Sequence, residues 1–408
     1  MSSAAPSKTL KFEDGSVQFR QRLIVSILSH RPLLMRNIRA DDLDAPGLRE
    51  YEVSFLRLLV DRMTNGSTLE INATGTQLRF KPGVLLGGTI EHDCPIGTIA
   101  EDDDTANGPL QYRGVGWFLE GLLPLAPFGK EALSLTLRGV TDGTCNRDPS
   151  PDYITSSLLP LLQHFGVGPL DEGPPVSLRV TKRGAAPLGG GCVEFYCPIV
   201  KELPHPIDLT DPGKVKRVRG TVVSCKIPPS SAARVAHSSK GMLHRLLPDV
   251  WIHTDAHSHR GRKGKGNDPG MAGCGPSAGL SVTLTAESTS GMTVSAECCL
   301  DSSKKNARGT LLPEDLGVRG AAMLLDEIRK GGCIDTHAQS TALLLMCLGP
   351  EDVSRIRMGT LSPYSIVSLR LFKKALDVEF KVKADPETRT VMLSCLGSGY
   401  RNMARAST

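Results

Sequence analysis

A glycine-rich stretch is the first candidate for chemistry in this chain of 408 residues. Residues 183–191 read RGAAPLGGG, in which Arg183 precedes the three consecutive glycines Gly189, Gly190 and Gly191. Glycines let a backbone approach a phosphate, and a guanidinium beside them can pair with phosphate oxygens. The same glycines suit a tight turn between strands, because they tolerate positive φ angles. Both interpretations stay open, and we favour the structural turn because a lone glycine motif is weakly specific.

Basic side chains that could contact a nucleic acid are concentrated between residues 213 and 304. This segment has 13 Lys and Arg against 6 Asp and Glu, although the net charge of the whole chain is only +5. Two stretches contain most of this charge: Lys214, Lys216, Arg217 and Arg219 in one, and Arg260, Arg262, Lys263 and Lys265 in the other. Such side chains attract RNA phosphates without reading bases, and a solvated loop is the alternative. No aromatic residue interleaves either stretch, so we do not expect base stacking there.

The run WIHTDAHSH contains side chains that could bind a metal ion. Its candidate ligands alternate along the chain, as one face of a strand requires: His253, Asp255, His257 and His259. The positive charge that begins after His259 disfavours a dication, so we expect no metal site. The 11 cysteines include no CxxC pair, and we expect them to be reduced and mostly buried, as for Cys298 and Cys299 in one strand-like run.

The elements that would position these residues recur along the chain. Strand-like runs and amphipathic helical runs follow one order three times, which indicates internal repeats. The helical runs are 16–30 and 46–63 in the first copy, 111–126 and 150–166 in the second, and 314–330, 335–349 and 362–376 in the third. In the last of these we expect Ile366, Leu369 and Phe372 to form the packed apolar face.

These runs predict an α+β fold of three β-α-β-α-β-β repeats, each a four-stranded sheet with two helices. Residues 1–212 and 305–408 would form one large domain. Residues 213–304 would form a smaller inserted α+β domain, which is basic and interrupts the third repeat. No apolar run of 18 or more residues is present, and the N-terminus is short and polar. We therefore expect an intracellular protein without a membrane segment.

Four segments carry a resemblance to a known family. The stretch RGAAPLGGG matches RGxxPxGGG, a signature of RNA 3′-terminal phosphate cyclases, and DGSVQFRQRLIVSILS, IRADDLDAPGL and LRFKPGVLLGG are similar to further landmarks of that family in the same order. The resemblance covers nearly the whole chain. It implies the repeat fold with an inserted domain, and a cleft that would be lined by Arg20, Arg22, Arg39, Arg49 and Arg183, with phosphate binding or a solvated rim as their two possible roles.

The chain departs from the family at three catalytic positions. The enzymes carry a glycine-rich turn where this chain has residues 18–22, QFRQR, and they place a Gln in the segment where it has residues 50–52, EYE. The resemblance also places Ser362 where the enzymes have the histidine that accepts AMP. A serine hydroxyl is protonated near neutral pH and replaces imidazole poorly. The departures predict that this chain is not an active cyclase.

The pattern resembles the cyclase-like branch of the family, the nucleolar proteins required to mature small-subunit ribosomal RNA. That resemblance implies a scaffold that binds pre-ribosomal RNA, the early small-subunit assembly complex and a ribosome-assembly GTPase, with no cofactor, membrane or small-molecule substrate. The alternative is an RNA endonuclease on the same fold, in which Arg370 and Lys373 would stabilise a scissile phosphate. No general base lies beside that pair in the sequence, so we favour the scaffold.

Overall fold

The computed structural model describes residues 8–97, 111–143, 147–168, 173–257, 273–300 and 312–405. The basic residues Arg260, Arg262, Lys263 and Lys265 and the histidine His259 lie outside these ranges. Helices and four-stranded sheets alternate through the described residues, which confirms the predicted combination of both element types. Within these ranges, no helix is long and apolar enough to cross a membrane.

The first sheet belongs to the N-terminal part of the chain. Its strands have the order β1-β2-β5-β4, in which β1 and β2 are parallel and the other pairs are antiparallel. A short pair, β3 with β6, lies beside it. The elements are β1 (Leu10–Phe12), α1 (Phe19–Ser29), β2 (Leu33–Met35), α2 (Glu50–Arg57) with a following π turn (Leu58–Met63), β3 (Thr64–Asn65), β4 (Thr68–Ile71), β5 (Leu78–Lys81) and β6 (Val84–Leu85).

The second sheet repeats this arrangement, with the order β7-β8-β10-β9 and a parallel β7–β8 pair. Burial alternates along β8, because successive side chains of a strand point to opposite faces. The elements are β7 (Gly88–Asp93), α3 (Val115–Leu122), β8 (Leu133–Gly139), α4 (Pro151–Tyr153), a π turn (Ile154–Leu158), α5 (Leu159–His164), β9 (Ser177–Lys182) and β10 (Gly191–Cys197).

The remaining chain builds a third and a fourth sheet. The third has the order β11-β16-β18-β17 and the fourth the order β13-β12-β14-β15. The elements are β11 (Asp208–Leu209), β12 (Val215–Cys225), α6 (Pro229–Leu243), β13 (Val250–His257), β14 (Gly279–Ser288), β15 (Thr293–Cys299), α7 (Pro313–Lys330), α8 (Gln339–Leu348), β16 (Val353–Met358), α9 (Pro363–Leu376), β17 (Phe380–Asp385) and β18 (Thr390–Leu396). Along the chain, strand β11 of the third sheet precedes the strands of the fourth sheet, and its other three strands follow them.

Helix α7 packs against the fourth sheet. The sequence pattern assigned this run to the third repeat, but its buried residues Leu316, Ala321 and Leu324 lie in the core that β12, β14 and α6 form. Local residues mark both ends of the helix. Pro313 suits the first turn, and the two acidic residues of that turn and Arg329 and Lys330 of the last turn interact favourably with the helix dipole. Helix α7 therefore packs with the fourth sheet, and we call that sheet together with α6 and α7 the inserted unit.

The three other sheets share one large apolar core that the helices cover. Phe55, Phe118 and Phe372 are fully buried in it and come from α2, α3 and α9. Within α9, the expected face is met in part: Phe372 is buried and Leu369 packs against the core, but Ile366 is exposed. Ser365, Ser368 and Leu371 are buried in addition. Two of these buried positions are serines, and their hydroxyls are hydrogen-bonded. A search for apolar spacing could not identify them.

Candidate functional site

A cavity of about 930 Å³ lies where the inserted unit meets the large core. Residues from α1, α3, β15, α7 and the start of α9 line it. Many of the lining side chains are charged, with basic groups on Arg20, Arg39, Arg113, Arg147, Arg319 and Lys330, and acidic groups on Glu52, Glu120, Asp148, Glu297, Asp326, Glu327 and Asp335. Concave sites with converging polar groups are the usual places for ligands, which makes this cavity the first candidate.

The two predicted arginines that reach the cavity are bound to carboxylates of the chain. Arg20 donates from Nη2 to Oε2 of Glu120 at 2.5 Å, and Arg39 forms two bonds to Glu52, at 2.8 and 2.5 Å. Burial disfavours the Arg20 charge, yet the adjacent Glu120 carboxylate raises the pKa of Arg20 above its ordinary value. These guanidinium groups are already neutralised within the protein.

Arg22 and Arg49 do not line the cavity. Arg22 donates to the backbone carbonyl of Asp14 and lies over the ring of Phe12, 4.2 Å from its centre, and burial lowers its pKa to about 10. Arg49 binds Asp42 Oδ2 at 2.6 Å and precedes α2. Both arginines stabilise local chain conformation. Each arginine finds oxygen acceptors in its own neighbourhood, away from the lining of this cavity.

The start of α1 occupies the place of the glycine-rich turn that the family resemblance describes. Gln18 stands there with a φ of 49°, and its amide Nε2 donates to the Tyr364 carbonyl at 2.9 Å and to Ser368 Oγ at 2.7 Å. Phe19 is buried beside it. A phosphate needs close access to backbone N–H groups. Here the Gln18 side chain lies at this position and is bonded to α9.

Ser362 lines the cavity and caps helix α9. Its Oγ accepts a hydrogen bond from the Ser365 backbone N–H at 3.1 Å, and its own N–H donates to Gln339 Oε1 at 3.0 Å. Ser, Pro at the next position and a helical run form a common helix start. Ser362 therefore stabilises the start of helix α9.

Several polar residues of the cavity were not identified from the sequence. Asp335, which is buried, accepts hydrogen bonds from Tyr153 Oη at 2.6 Å, Ser157 Oγ at 2.8 Å and the Ser295 backbone N–H at 3.2 Å. Its partners come from the second sheet's helix and from β15 of the inserted unit. His337 lies against the Tyr153 ring, with ring centres 5.3 Å apart. No spacing along the chain signals this network, because its members are brought together only by folding.

Glu297 is the second polar contact between the inserted unit and the large core. Its carboxylate accepts the Ser150 backbone N–H at 3.0 and 3.2 Å. Burial raises the pKa of Glu297 to about 7, although the bond from Ser150 opposes this shift. The carboxyl group therefore exchanges its proton in a range where most carboxyl groups are ionised.

The glycine stretch joins the inserted unit to the second sheet. Gly189 has a φ of 58°, and a Cβ on Gly275 of the inserted unit would lie 1.8 Å from the Gly189 carbonyl oxygen. The Gly275 N–H donates to the Arg183 carbonyl at 2.8 Å, and the Leu188 N–H donates to Ser277 Oγ at 3.1 Å. Gly190 and Gly191 also lie outside the cavity lining. The contacts match the structural interpretation of the motif.

Arg183 completes the same junction. Its guanidinium forms two bonds to Asp152, at 2.5 and 2.9 Å, and lies 3.1 Å from Asp255 of strand β13. Burial opposes the charge, but the two carboxylates raise the pKa of Arg183 well above its ordinary value. Arg183 is thus a structural bridge and does not reach the cavity.

The first basic stretch runs along β12, where its charges are partly neutralised. Arg217 pairs with Glu287 at 2.6 Å and Arg219 with Asp249 at 2.8 Å. Lys214 and Lys216 are exposed at the start of the strand. The sequence did not show these pairs, because both carboxylates lie on distant segments. Lys214 and Lys216 are the more available cations of this stretch.

Two of the possible metal ligands of β13 contact each other instead. His257 Nε2 lies 2.6 Å from Asp255 Oδ1, and Asp255 also binds Arg183. In the part of the chain that the structure describes, no group of three or more His, Cys, Asp or Glu side chains could hold a metal ion. Cys298 and Cys299 are buried.

The residues of the nuclease hypothesis lie on the solvent side of α9. Arg370 is exposed, and Lys373 pairs with Glu379 at 2.6 Å. Neither residue lines the cavity. The pair therefore gains no support from its surroundings as a phosphate-stabilising site.

Comparison with known proteins adds an independent result. A family model described as RNA 3′-terminal phosphate cyclase matches residues 11–382. The RNA 3′-terminal phosphate cyclase-like protein of Homo sapiens is 44% identical, over 95% of this chain and 95% of its own length. The probable RNA 3′-terminal phosphate cyclase-like protein of Dictyostelium discoideum is 43% identical over 98% of this chain and 100% of its own. The rRNA processing protein rcl1 of Schizosaccharomyces pombe is 39% identical over 97% of this chain and 98% of its own.

Proposed function

Because the chain belongs to the RNA 3′-terminal phosphate cyclase family, in its cyclase-like branch, we propose that it acts in pre-ribosomal RNA processing and does not cyclise RNA ends. The fission yeast relative that is named an rRNA processing protein supports the process, since the match spans nearly both chains. The setting would be the nucleolus, in early maturation of the small-subunit ribosomal RNA. The role would be that of a scaffold within the small-subunit assembly complex.

The observation that carries the proposal is the start of α1. Gln18 is bonded to Tyr364 and Ser368 of α9, so that side chains stand where a nucleotide phosphate would need open backbone. Ser362, in the position that the resemblance assigns to the nucleophile, is engaged as the cap of α9. Arg20 and Arg39 are committed to internal carboxylates. Together these features support a cavity that has lost the fit for ATP.

The architecture supports a scaffold in two further ways. The first three sheets share one strand order, each with one parallel and two antiparallel pairs, and we interpret them as three copies of a β-α-β-α-β-β repeat. The inserted unit, from residue 213 to the end of α7, would present its basic strand to RNA. A ribosome-assembly GTPase would bind elsewhere on the large domain, with no cofactor required.

Adenylylation tests the proposal directly. Purified protein incubated with α-labelled ATP, then denatured and resolved by electrophoresis, is expected to carry no label, and an RNA with a 3′-phosphate is expected to stay uncyclised. A family cyclase serves as the positive control. Ser362, Tyr364 and His337 are among the nucleophilic side chains that line the cavity. A labelled band that one of the variants Ser362→Ala, Tyr364→Phe or His337→Ala removes would show the proposal to be wrong.

A further inference from the structure

An exposed tryptophan lies on the edge strand of the fourth sheet. Trp251 on β13 is 59% exposed, whereas the second tryptophan of the chain, Trp117, is 8% exposed and lies in the large core. Large aromatic rings are seldom left in water unless they bind something. No part of the cavity or of the junction with the second sheet explains this exposure.

A second flat ring stands next to Trp251. His253 follows at the spacing that places two side chains on the same face of a strand. The two ring centres are 6.1 Å apart and the ring planes differ by 32°, so the rings form a nearly continuous surface. His253 is exposed as well. The strand thus presents two planar groups to solvent, side by side.

The neighbouring strand supplies polar and basic groups on the same face. Arg219 of β12 pairs in register with Trp251, and Thr221 with His253. Beyond this face, the exposed Lys216 lies at the irregular start of β12, three residues before Arg219 and about 10 Å from it along the strand. Asp249 neutralises part of the Arg219 charge, at 2.8 Å. Sequence order hid this arrangement, because β13 is joined to β12 only through α6.

This part of the sheet face is open. The large core covers the other half, where the Ser295 N–H of β15 donates to Asp335 and Glu297 accepts from Ser150. The far end of β13 is also covered, since Asp255 binds Arg183. The open area is therefore a strip along β13 and the start of β12.

Resting on the proposed role in RNA processing, we propose that this strip, which we call the Trp251 strip and define as Trp251, His253, Arg219 and Thr221, binds single-stranded RNA. Two unpaired bases stack on the rings of Trp251 and His253, and Lys214 and Lys216 attract the backbone. Aromatic rings stack on any base, so the contact is tolerant of sequence. Duplex RNA cannot use it, since its bases are already stacked and its grooves hide them.

The chemistry of the strip favours RNA over an apolar protein segment. Arg219 and Thr221 pair in register with Trp251 and His253, and the exposed Lys214 and Lys216 lie at the start of the same neighbouring strand. A flat surface with planar rings and excess positive charge matches the bases and phosphates of a single strand.

The test uses the full-length protein and a short fluorescent oligouridine, with binding followed by anisotropy. Trp251→Ala is expected to raise the Kd about 5- to 150-fold, the range that loss of one stacked base produces. The slope of log Kd against log salt should stay as in the wild type, because no phosphate contact is lost. Trp251→Phe should bind nearly as well as the wild type. Leu246→Ala, which removes a side chain that is 69% exposed in the turn after α6, is the matched control and should change nothing.

Tryptophan fluorescence gives a second readout. Oligouridine should quench the emission of the wild type, and the quenching should disappear in Trp251→Phe although binding persists. Unchanged affinity of Trp251→Ala, or equal binding and quenching with a duplex of the same length, overturns the stacking proposal while leaving RNA binding intact. If the wild type binds no RNA at all, both this proposal and the RNA-binding part of the proposed function are wrong.

Discussion

Arg20 and Arg39 reach the cavity as members of ion pairs, with Glu120 and Glu52 as their partners. A phosphate that entered would have to displace a carboxylate from each guanidinium group. Separating a buried pair costs several kcal/mol, because one charge is left without a partner. At the scale of single residues, the cavity therefore favours its own carboxylates over an added anion. This balance supports our proposal that the cavity does not bind a nucleotide.

Glu297 yields a prediction on the pH dependence of stability. Its pKa is about 7 in the folded protein, raised by burial from the ordinary value of 4.5. Between these two pH values the folded protein holds a proton that the unfolded chain has released. The free energy of unfolding should therefore fall as pH rises from about 4.5 to about 7 and level off above that range. Urea unfolding at several pH values measures this.

The variant Glu297→Gln keeps an acceptor for the Ser150 N–H but has no proton to exchange. Its free energy of unfolding should lack the decline between about pH 4.5 and pH 7. Glu287→Gln, on the neighbouring strand β14, is the control and should keep the wild-type profile. If Glu297→Gln also keeps that profile, the carboxyl group is not protonated in the folded protein.

At the scale of elements, the glycine stretch and Arg183 act as a joint between two folded units. The turn before β10 packs against the segment before β14, so closely that Gly275 admits no side chain: its Cβ would lie 1.8 Å from the Gly189 carbonyl oxygen. Arg183 then links Asp152 of α4 to Asp255 of β13. A motif that resembles an anion-binding loop is used here to hold the inserted unit in place. The cavity depends on this joint, since β15 forms one of its walls.

Removing the Arg183 guanidinium should loosen that joint. Arg183→Ala leaves Asp152 and Asp255 close together without a cation, and breaking such a buried pair costs about 3–5 kcal/mol. We expect the variant to have a lower urea midpoint than the wild type. Its hydrogen exchange should be accelerated more in β13 than in β18. Arg217→Ala, which removes the more exposed pair with Glu287, should cost less than about 1 kcal/mol. Equal effects of the two variants would contradict the bridging role.

At the scale of the whole molecule, the positive charge is concentrated in one unit. The net charge of the chain is +5, and residues 213–304 alone carry an excess of basic over acidic groups larger than that. In the stretch from Lys214 to Arg219 the excess is reduced by Glu287 and Asp249, which pair with two of its four basic residues. Lys214 and Lys216 therefore carry most of what the described part of this stretch can offer to RNA.

The salt dependence of RNA binding tests this assignment. Lys214→Ala combined with Lys216→Ala should lower the slope of log Kd against log salt by about 0.7 for each lost phosphate contact. The loss should be similar for oligonucleotides of unrelated sequence, because lysine reads charge and not bases. Arg245→Ala, which removes an exposed cation in the turn after α6, is the control with an unchanged slope. A double lysine variant with the wild-type slope would place the RNA surface elsewhere.

The sequence predicted local features well. The helical runs predicted over 16–30, 111–126 and 362–376 contain α1, α3 and α9, because apolar spacing along the chain depends on neighbouring residues alone. The family matches the resemblance drawn from RGxxPxGGG. The assignment of α7 needed more, because its apolar stripe is compatible with any apolar surface and only packing selects one.

What the sequence by itself determined is the set of elements, the family and the location of the basic unit. Tertiary structure decided which charges are free. Arg20 and Glu120, or Arg183 and Asp255, lie far apart along the chain, and ion pairing acts across space over a few ångströms. The same holds for Trp251 and Arg219: the basic stretch contains no aromatic residue, yet parallel strand pairing sets one directly beside it. Patterns among neighbouring residues predict the helices and strands. The sites form only when these elements pack and bring distant arginines, carboxylates and rings together.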